Sequence, residues 1–174
     1  IRLDPDALRA APEEIALRLL AAALGAVSGA AYRPRFAALA RLWAAARDEA
    51  LGGGRTLHGC VVSPWGGGIA IAREPAAAEA APPPGRELWD GRWRVETAEP
   101  GCVTALGEAG LAALAAARGA GNWTPPPGWD VAPRAARRAT PALWRDDGLA
   151  AAPIAAYGGG MRAAFATGWP PIAR

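Results

Sequence analysis

His58 is the only histidine of the chain, and Cys60 follows two residues on, so any imidazole chemistry would pass through this pair. On the strand expected here the two share a face, and an imidazole beside a thiol can draw off its proton to make a nucleophile. Such a device needs a third group to orient the base, and none is evident nearby. Neighbours on one strand face are also ordinary packing, and a satisfied, partly buried histidine is the plainer reading. Asp146-Asp147-Gly148 places two carboxylates side by side. A hard cation wants more oxygen ligands at loop spacing, whereas Asp and Gly are the usual residues of a turn between elements. No catalytic residue and no metal ligand is therefore expected.

All 19 cationic side chains are arginine. The lack of lysine removes Schiff-base chemistry and the lysine of a phosphate loop. Glycine triplets at 52–54, 66–68 and 158–160 are followed by neither a lysine nor a helix, so each reads as a turn. The arginine itself is the better signal. Arg134, Arg137 and Arg138 stand at i, i+3 and i+4, so a helix projects them from one side, where their forked donors suit adjacent phosphates. A solvated basic face is the competing reading. Arg33 and Arg35, flanking Pro34 at a helix start, form a second candidate patch. Trp65, Trp123 and Trp129 fall in expected loops, where an indole either stacks on an unpaired base or covers a core edge. Trp43 and Trp93 fall on expected buried faces.

The elements that position these residues follow from periodicity and punctuation. Asp4-Pro5 reads as a helix cap with proline at the first helical position, and Pro12 closes that helix and opens another. Glu13 and Glu14 suit the positive end of its dipole. Ile15, Leu19, Leu20, Leu24 and Val27 then recur at helical spacing until Ser28-Gly29. Phe36, Leu39, Trp43 and Ala46 make the stripe of the next helix, stopped by the glycines at 52–54.

From Arg55 the period changes to two, and a hairpin is expected with its loop at 64–68. Residues 76–87, rich in alanine and proline, are expected to form a flexible linker with no means of building a core. Strand-like alternation resumes over 88–95, with Asp90-Gly91 as an alternative tight turn and Arg92 and Arg94 on the face opposite Trp93 and Val95. A strand over 102–106, a helix over 108–117, a brief helix from Pro133 and strands over 149–156 and 161–167 complete the pattern. The class is α+β: an N-terminal helical hairpin over 1–52, then a small mixed domain of antiparallel hairpins and short helices over 55–174.

Net charge is +3, but residues 131–174 hold six arginines against two carboxylates, while residues 1–51 hold seven against six. The C-terminal surplus attracts polyanions such as RNA. Cys60 and Cys102 are too few for a four-thiolate zinc site, and with no signal peptide they fit a reduced, cytoplasmic setting. The apolar run at 15–27 is too short and interrupted to span a bilayer, so no membrane insertion is expected. The chain begins at Ile1 and its only methionine is Met161, as expected for a piece of a longer protein.

Three strings stand out: Arg55-Thr56-Leu57-His58-Gly59-Cys60, Leu88-Trp89-Asp90-Gly91-Arg92-Trp93 and Thr140-Pro141-Ala142-Leu143-Trp144. Behind Glu14-Ile15-Ala16-Leu17-Arg18-Leu19-Leu20 and Tyr32-Arg33-Pro34-Arg35, and with Arg73-Glu74-Pro75 and Ala105-Leu106-Gly107-Glu108 between them, their order resembles the downstream half of bacterial tRNA(Ile)-lysidine synthases. The resemblance implies an upstream ATP-pyrophosphatase domain whose Ser-Gly-Gly-x-Asp-Ser loop binds ATP. Ser28-Gly29-Ala30 does not match that loop. It further implies that the complete enzyme adenylates the first anticodon cytidine of a minor isoleucine tRNA and lets the amine of free lysine displace AMP. By this implication the segment is a non-catalytic tRNA grip that needs no cofactor, ATP and Mg belonging to the N-terminal domain. Its partners would be tRNA(Ile) and that domain, with Arg134, Arg137, Arg138, Arg33 and Arg35 as RNA contacts and the oligomeric state open. Two other classes remain: a protein-interaction or dimerisation module using the helical stripes, and a small enzyme centred on His58 and Cys60.

Overall fold

A computed structural model describes residues 1–84 and 88–166. Its helices and antiparallel sheets are of the expected α+β class, arranged in two compact units, Ile1–Glu74 and Pro75–Ala166.

In the first unit, β1 (Arg2–Leu3) leads into α1 (Pro5–Ala10). The Asp4 carboxylate accepts from the Asp6 and Ala7 amides at 2.9 and 3.0 Å, and proline at the first position forfeits no internal hydrogen bond. Helix α2 (Glu13–Ser28) follows Pro12 and ends where Gly29 turns left-handed at φ 70°. After it come α3 (Phe36–Arg47), β2 (Arg55–Leu57), β3 (Cys60–Trp65) and β4 (Gly68–Arg73). The sheet is wholly antiparallel in the order β1-β4-β3-β2. Its two hairpins turn on His58-Gly59 and Gly66-Gly67, and all four residues have φ between 56° and 74°. Such turns match the twist of the flanking strands.

Leu20, Leu24 and Val27 of α2 and Leu39, Leu42, Trp43 and Ala46 of α3 share one core with Cys60, Val62, Ile69 and Ile71 of the sheet. The expected boundary between 52 and 55 thus lies inside this unit, because the helices bury their stripes on the strands that follow them. Two members of the expected stripes point outward. Ile15 is 50% exposed and Phe36 72%, while Ala16 and Leu42 take inward places. Small residues at Ala16 and Ala23 let α2 lie close on its neighbours, which rotates the bulky Ile15 away.

The second unit opens with α4 (Pro75–Glu79), in the tract expected to be a linker. Ala78 is fully buried in a core with Trp89, Trp93, Val103 and Leu143, so the alanines serve close packing rather than flexibility. Residues 85–87 of that expected linker lie outside the described residues. Next come β5 (Trp93–Thr97), β6 (Cys102–Ala105), α5 (Gly107–Gly119), α6 (Arg134–Arg138), β7 (Pro141–Arg145), β8 (Gly148–Ala152), β9 (Tyr157–Gly158) and β10 (Met161–Phe165). Four strands form a sheet in the order β6-β7-β8-β9, and β5 pairs with β10 alone. Asp146 and Asp147 make the turn between β7 and β8.

Strand β7 is bonded on both sides and was hidden in the sequence by Pro141, which is tolerated because it is the first residue of the strand. Within 88–95 the turn alternative is the one adopted: Asp90 and Gly91 both have positive φ, and Trp89 faces Trp93 across the bend. The expected strand over 149–156 divides at a single 3-10 turn, Pro153–Ala155. Gly158 is required where β9 meets β8, since a Cβ there would lie 2.0 Å from the Ala150 carbonyl oxygen.

Candidate nucleic-acid interface

The five-residue helix α6 does project Arg134 and Arg138 to one side, where they meet carboxylates of their own chain. Arg134 forks onto both oxygens of Glu108, with Nε 3.1 Å from Oε1. Arg138 reaches Oε1 of Glu79 at 3.0 Å and Oε1 of Glu108 at 3.2 Å. The hydrogen bond from Arg134 holds the Glu108 carboxyl below its usual range, aided by the charges of Arg134 and Arg138 and opposed by partial desolvation. The same bond raises the Arg134 guanidinium above its ordinary value.

Arg137 turns elsewhere and lies over the Trp129 ring, 5.8 Å from its centroid. Trp129 in turn meets Trp123 edge to face at 6.1 Å, and Trp123 donates from Nε1 to the Ala155 carbonyl at 2.8 Å. Both indoles are buried, so they close a core and offer no open face to a base. Arg134 and Arg138 are therefore balanced by Glu108 and Glu79, while Arg137 meets an indole. A phosphate would have to replace a carboxylate there.

Arg92 holds the far end of α6. It lies in the string Leu88-Trp89-Asp90-Gly91-Arg92-Trp93, on the face expected opposite Trp93, yet it is buried. Its Nε donates to Asp90 at 3.0 Å, and its Nη2 donates to the Ala139 carbonyl at 3.2 Å. A signal for it existed. Asp-Gly-Arg in a left-handed bend returns the arginine toward the aspartate two residues before it.

The second patch, in the first unit, is of another kind. Tyr32, Arg33, Pro34 and Arg35 lie in the connection from α2 to α3, and Phe36 opens α3. Tyr32 is 74% exposed and both arginines are exposed, with no ion pair to either among the described residues. His58 stands at the tip of the β2–β3 turn with φ 56°, and its ring meets Tyr32 edge-on at 5.0 Å and 89°. Its Nε2 is buried without a hydrogen-bond partner among the described residues.

His58 and Cys60 do not share a strand face, since the turn comes between them. Cys60 is fully buried, with Sγ 3.5 Å from the Leu24 carbonyl oxygen. A thiol enclosed in a core and engaged with backbone is not placed to attack a substrate. Among the described residues no group of three His, Cys, Asp or Glu is placed to hold a metal ion, and no helix is long and apolar enough to cross a membrane.

The chain is thus an α+β fold that exposes Arg33 and Arg35 between Tyr32 and Phe36 and pairs Arg134 and Arg138 with carboxylates. Over 170 residues, 97% of its length, the chain is 35% identical to the tRNA(Ile)-lysidine synthase of Ruegeria pomeroyi (strain ATCC 700808 / DSM 15171 / DSS-3). It spans 38% of that curated relative. The likeness read from a few short strings thus extends over nearly the whole chain. No protein-family model matches the chain, and no solved structure matches it.

Proposed function

We propose that this chain is the tRNA-holding, C-terminal portion of a tRNA(Ile)-lysidine synthase. The observation that carries the reading is the match along 97% of the chain to 38% of a protein of that name. The activity proposed for the whole enzyme is conversion of the wobble cytidine of a minor isoleucine tRNA to lysidine, with ATP and lysine. ATP and Mg are assigned to an upstream domain, and the working compartment is the cytoplasm. The contribution of this portion is positional: fixing a large substrate converts a diffusive encounter into an oriented one without supplying a bond-making group.

Of the proposed RNA contacts, Arg33 and Arg35 meet no carboxylate among the described residues and can take phosphate directly. Arg134 and Arg138 take part by exchanging Glu108 and Glu79 for phosphate, and Arg137 joins them from its place over Trp129. A protein-interaction role had rested on the apolar stripes of α2 and α3, and those stripes are largely buried in the chain's own core. Filter binding of the full chain to a tRNA(Ile) transcript at low ionic strength tests the reading. Measurable, salt-sensitive binding supports it, and indifference to tRNA overturns it.

A further inference from the structure

Resting on that tRNA-binding reading, we propose that Tyr32 and Phe36 are stacking platforms for unpaired bases of the bound RNA, with Arg33 and Arg35 holding the flanking phosphates. Large aromatic rings usually contribute to stability by leaving water. Here two of them, 74% and 72% exposed, bracket two arginines within five consecutive residues. Periodicity assigns Phe36 to a core stripe, and its exposure removes it from that stripe.

The electrostatic surroundings favour an anion. From Ile15 to Arg47 the chain holds five arginines and no carboxylate. Arg18 is engaged by Glu14 at 2.5 Å, and Arg47 by Asp48 at 2.8 Å. Arg33 and Arg35 have no such neighbour among the described residues, so no carboxylate there competes with an incoming phosphate. Pro34 fixes the backbone between them.

Tyr32 is also held in place. The His58 ring supports it edge-on from a two-residue turn, and a histidine with φ 56° is an uncommon backbone state maintained by the sheet around it. With Tyr32 74% exposed, much of its ring stays open to a base, and a ring already fixed loses little freedom on stacking. Bases in a duplex offer no such face. Unpaired nucleotides in a loop or bulge offer a base and a phosphate at the spacing of adjacent side chains. A protein partner would satisfy the rings but would also have to supply carboxylates.

The test uses the full chain, a tRNA(Ile) transcript, and a single-stranded oligonucleotide beside a duplex of equal length. Tyr32→Ala with Phe36→Ala is expected to weaken binding to the tRNA and the single strand about tenfold or more, with the salt slope unchanged. Arg33→Ala with Arg35→Ala is expected to flatten that slope by about one to two. Tyr32→Phe, which keeps the ring, is expected to bind as wild type. Because both rings are exposed, circular dichroism and melting of the variants should match wild type. If wild type binds tRNA and the aromatic double variant binds equally well, the stacking proposal falls while the tRNA reading stands. It falls likewise if that variant loses only association with the remainder of a synthase, a protein contact. A wild-type chain that binds no tRNA overturns the functional reading and this proposal together.

Discussion

The guanidinium of Arg92 donates to the carbonyl oxygen of Ala139, 3.2 Å away, while it also grips Asp90. One buried ion pair therefore fastens the Asp-Gly bend to the end of the arginine-rich helix α6. Side-chain exposures of 6% and 3% mean that neither charge has water to fall back on. Arg92→Met should remove the cation that pairs with the buried Asp90 carboxylate, destabilising the chain by up to about 3–5 kcal/mol. Adding Asp90→Asn should recover part of that loss. Urea unfolding of the single and double variants measures both, and an Arg92→Met variant as stable as wild type would show that the pair fastens nothing.

The carboxylates around α6 set how much of its charge reaches a polyanion. Glu79→Gln with Glu108→Gln releases Arg138 and Arg134, so tRNA binding should tighten several-fold at low salt and its salt dependence should steepen. Filter binding across a salt series reads both. Unchanged affinity would mean that α6 faces no RNA.

The same contact predicts a pH response. The folded Glu108 carboxyl titrates below the ordinary glutamate range because Arg134 donates to it. A depressed carboxylate pKa adds stability that is present above the unfolded pKa and lost as pH falls through the lower folded one. The stability difference between wild type and Glu108→Gln should therefore shrink on acidification from about pH 5 downward and be flat near neutrality. Its charge is well exposed, so the effect should be small and weaken further with salt. Urea melts of the two proteins across that pH range measure it, and a difference that grows on acidification would contradict the pairing.

Burial decides which apolar residues of α2 and α3 matter. Leu20→Ala, at a fully enclosed site, should cost about 2–5 kcal/mol, and Trp43→Ala about 3–5 kcal/mol. Ile15→Ala should fall within about 0.5 kcal/mol of wild type, since half of that side chain already meets water. Denaturant melts order the three, and an Ile15→Ala variant as damaged as Leu20→Ala would contradict the orientation of α2.

Thiol reactivity separates the two cysteines. Cys102 is exposed and Cys60 buried, so a thiol reagent should label one cysteine promptly and the second only on unfolding. Rapid labelling of Cys60 in the folded chain would reopen the question of an activated thiol.

The local elements were legible wherever a short-range rule acted without competition. Asp4-Pro5, Pro12 and Ser28-Gly29 delimit helices as their chemistry requires, because caps and proline act on backbone groups only a few residues away. The Asp146-Asp147 turn and the brief helix at 134–138 are likewise local. Strand β7 was not legible, since Pro141 suppresses a strand reading and only the sheet partners on either side restore it. The left-handed turn at His58-Gly59 was missed for a related reason: with no Asn or Asp before the glycine, alternation carried straight through it.

For the candidate interface, residue types and spacing were enough to pick out Arg134, Arg137, Arg138, Arg33 and Arg35, and the order of a few strings sufficed to find the relative. Which arginines keep an accessible charge was decided only by tertiary structure. A guanidinium's availability depends on which carboxylates long-range folding brings to it: Glu79 and Glu108 stand 59 and 26 residues from the arginines they meet. Aromatic exposure is non-local in the same way. Trp123 and Trp129, in a loop where an indole either stacks or covers a core edge, are enclosed, while Phe36, expected in a core stripe, is exposed, because burial depends on what packs from elsewhere in the chain rather than on a residue's neighbours in sequence.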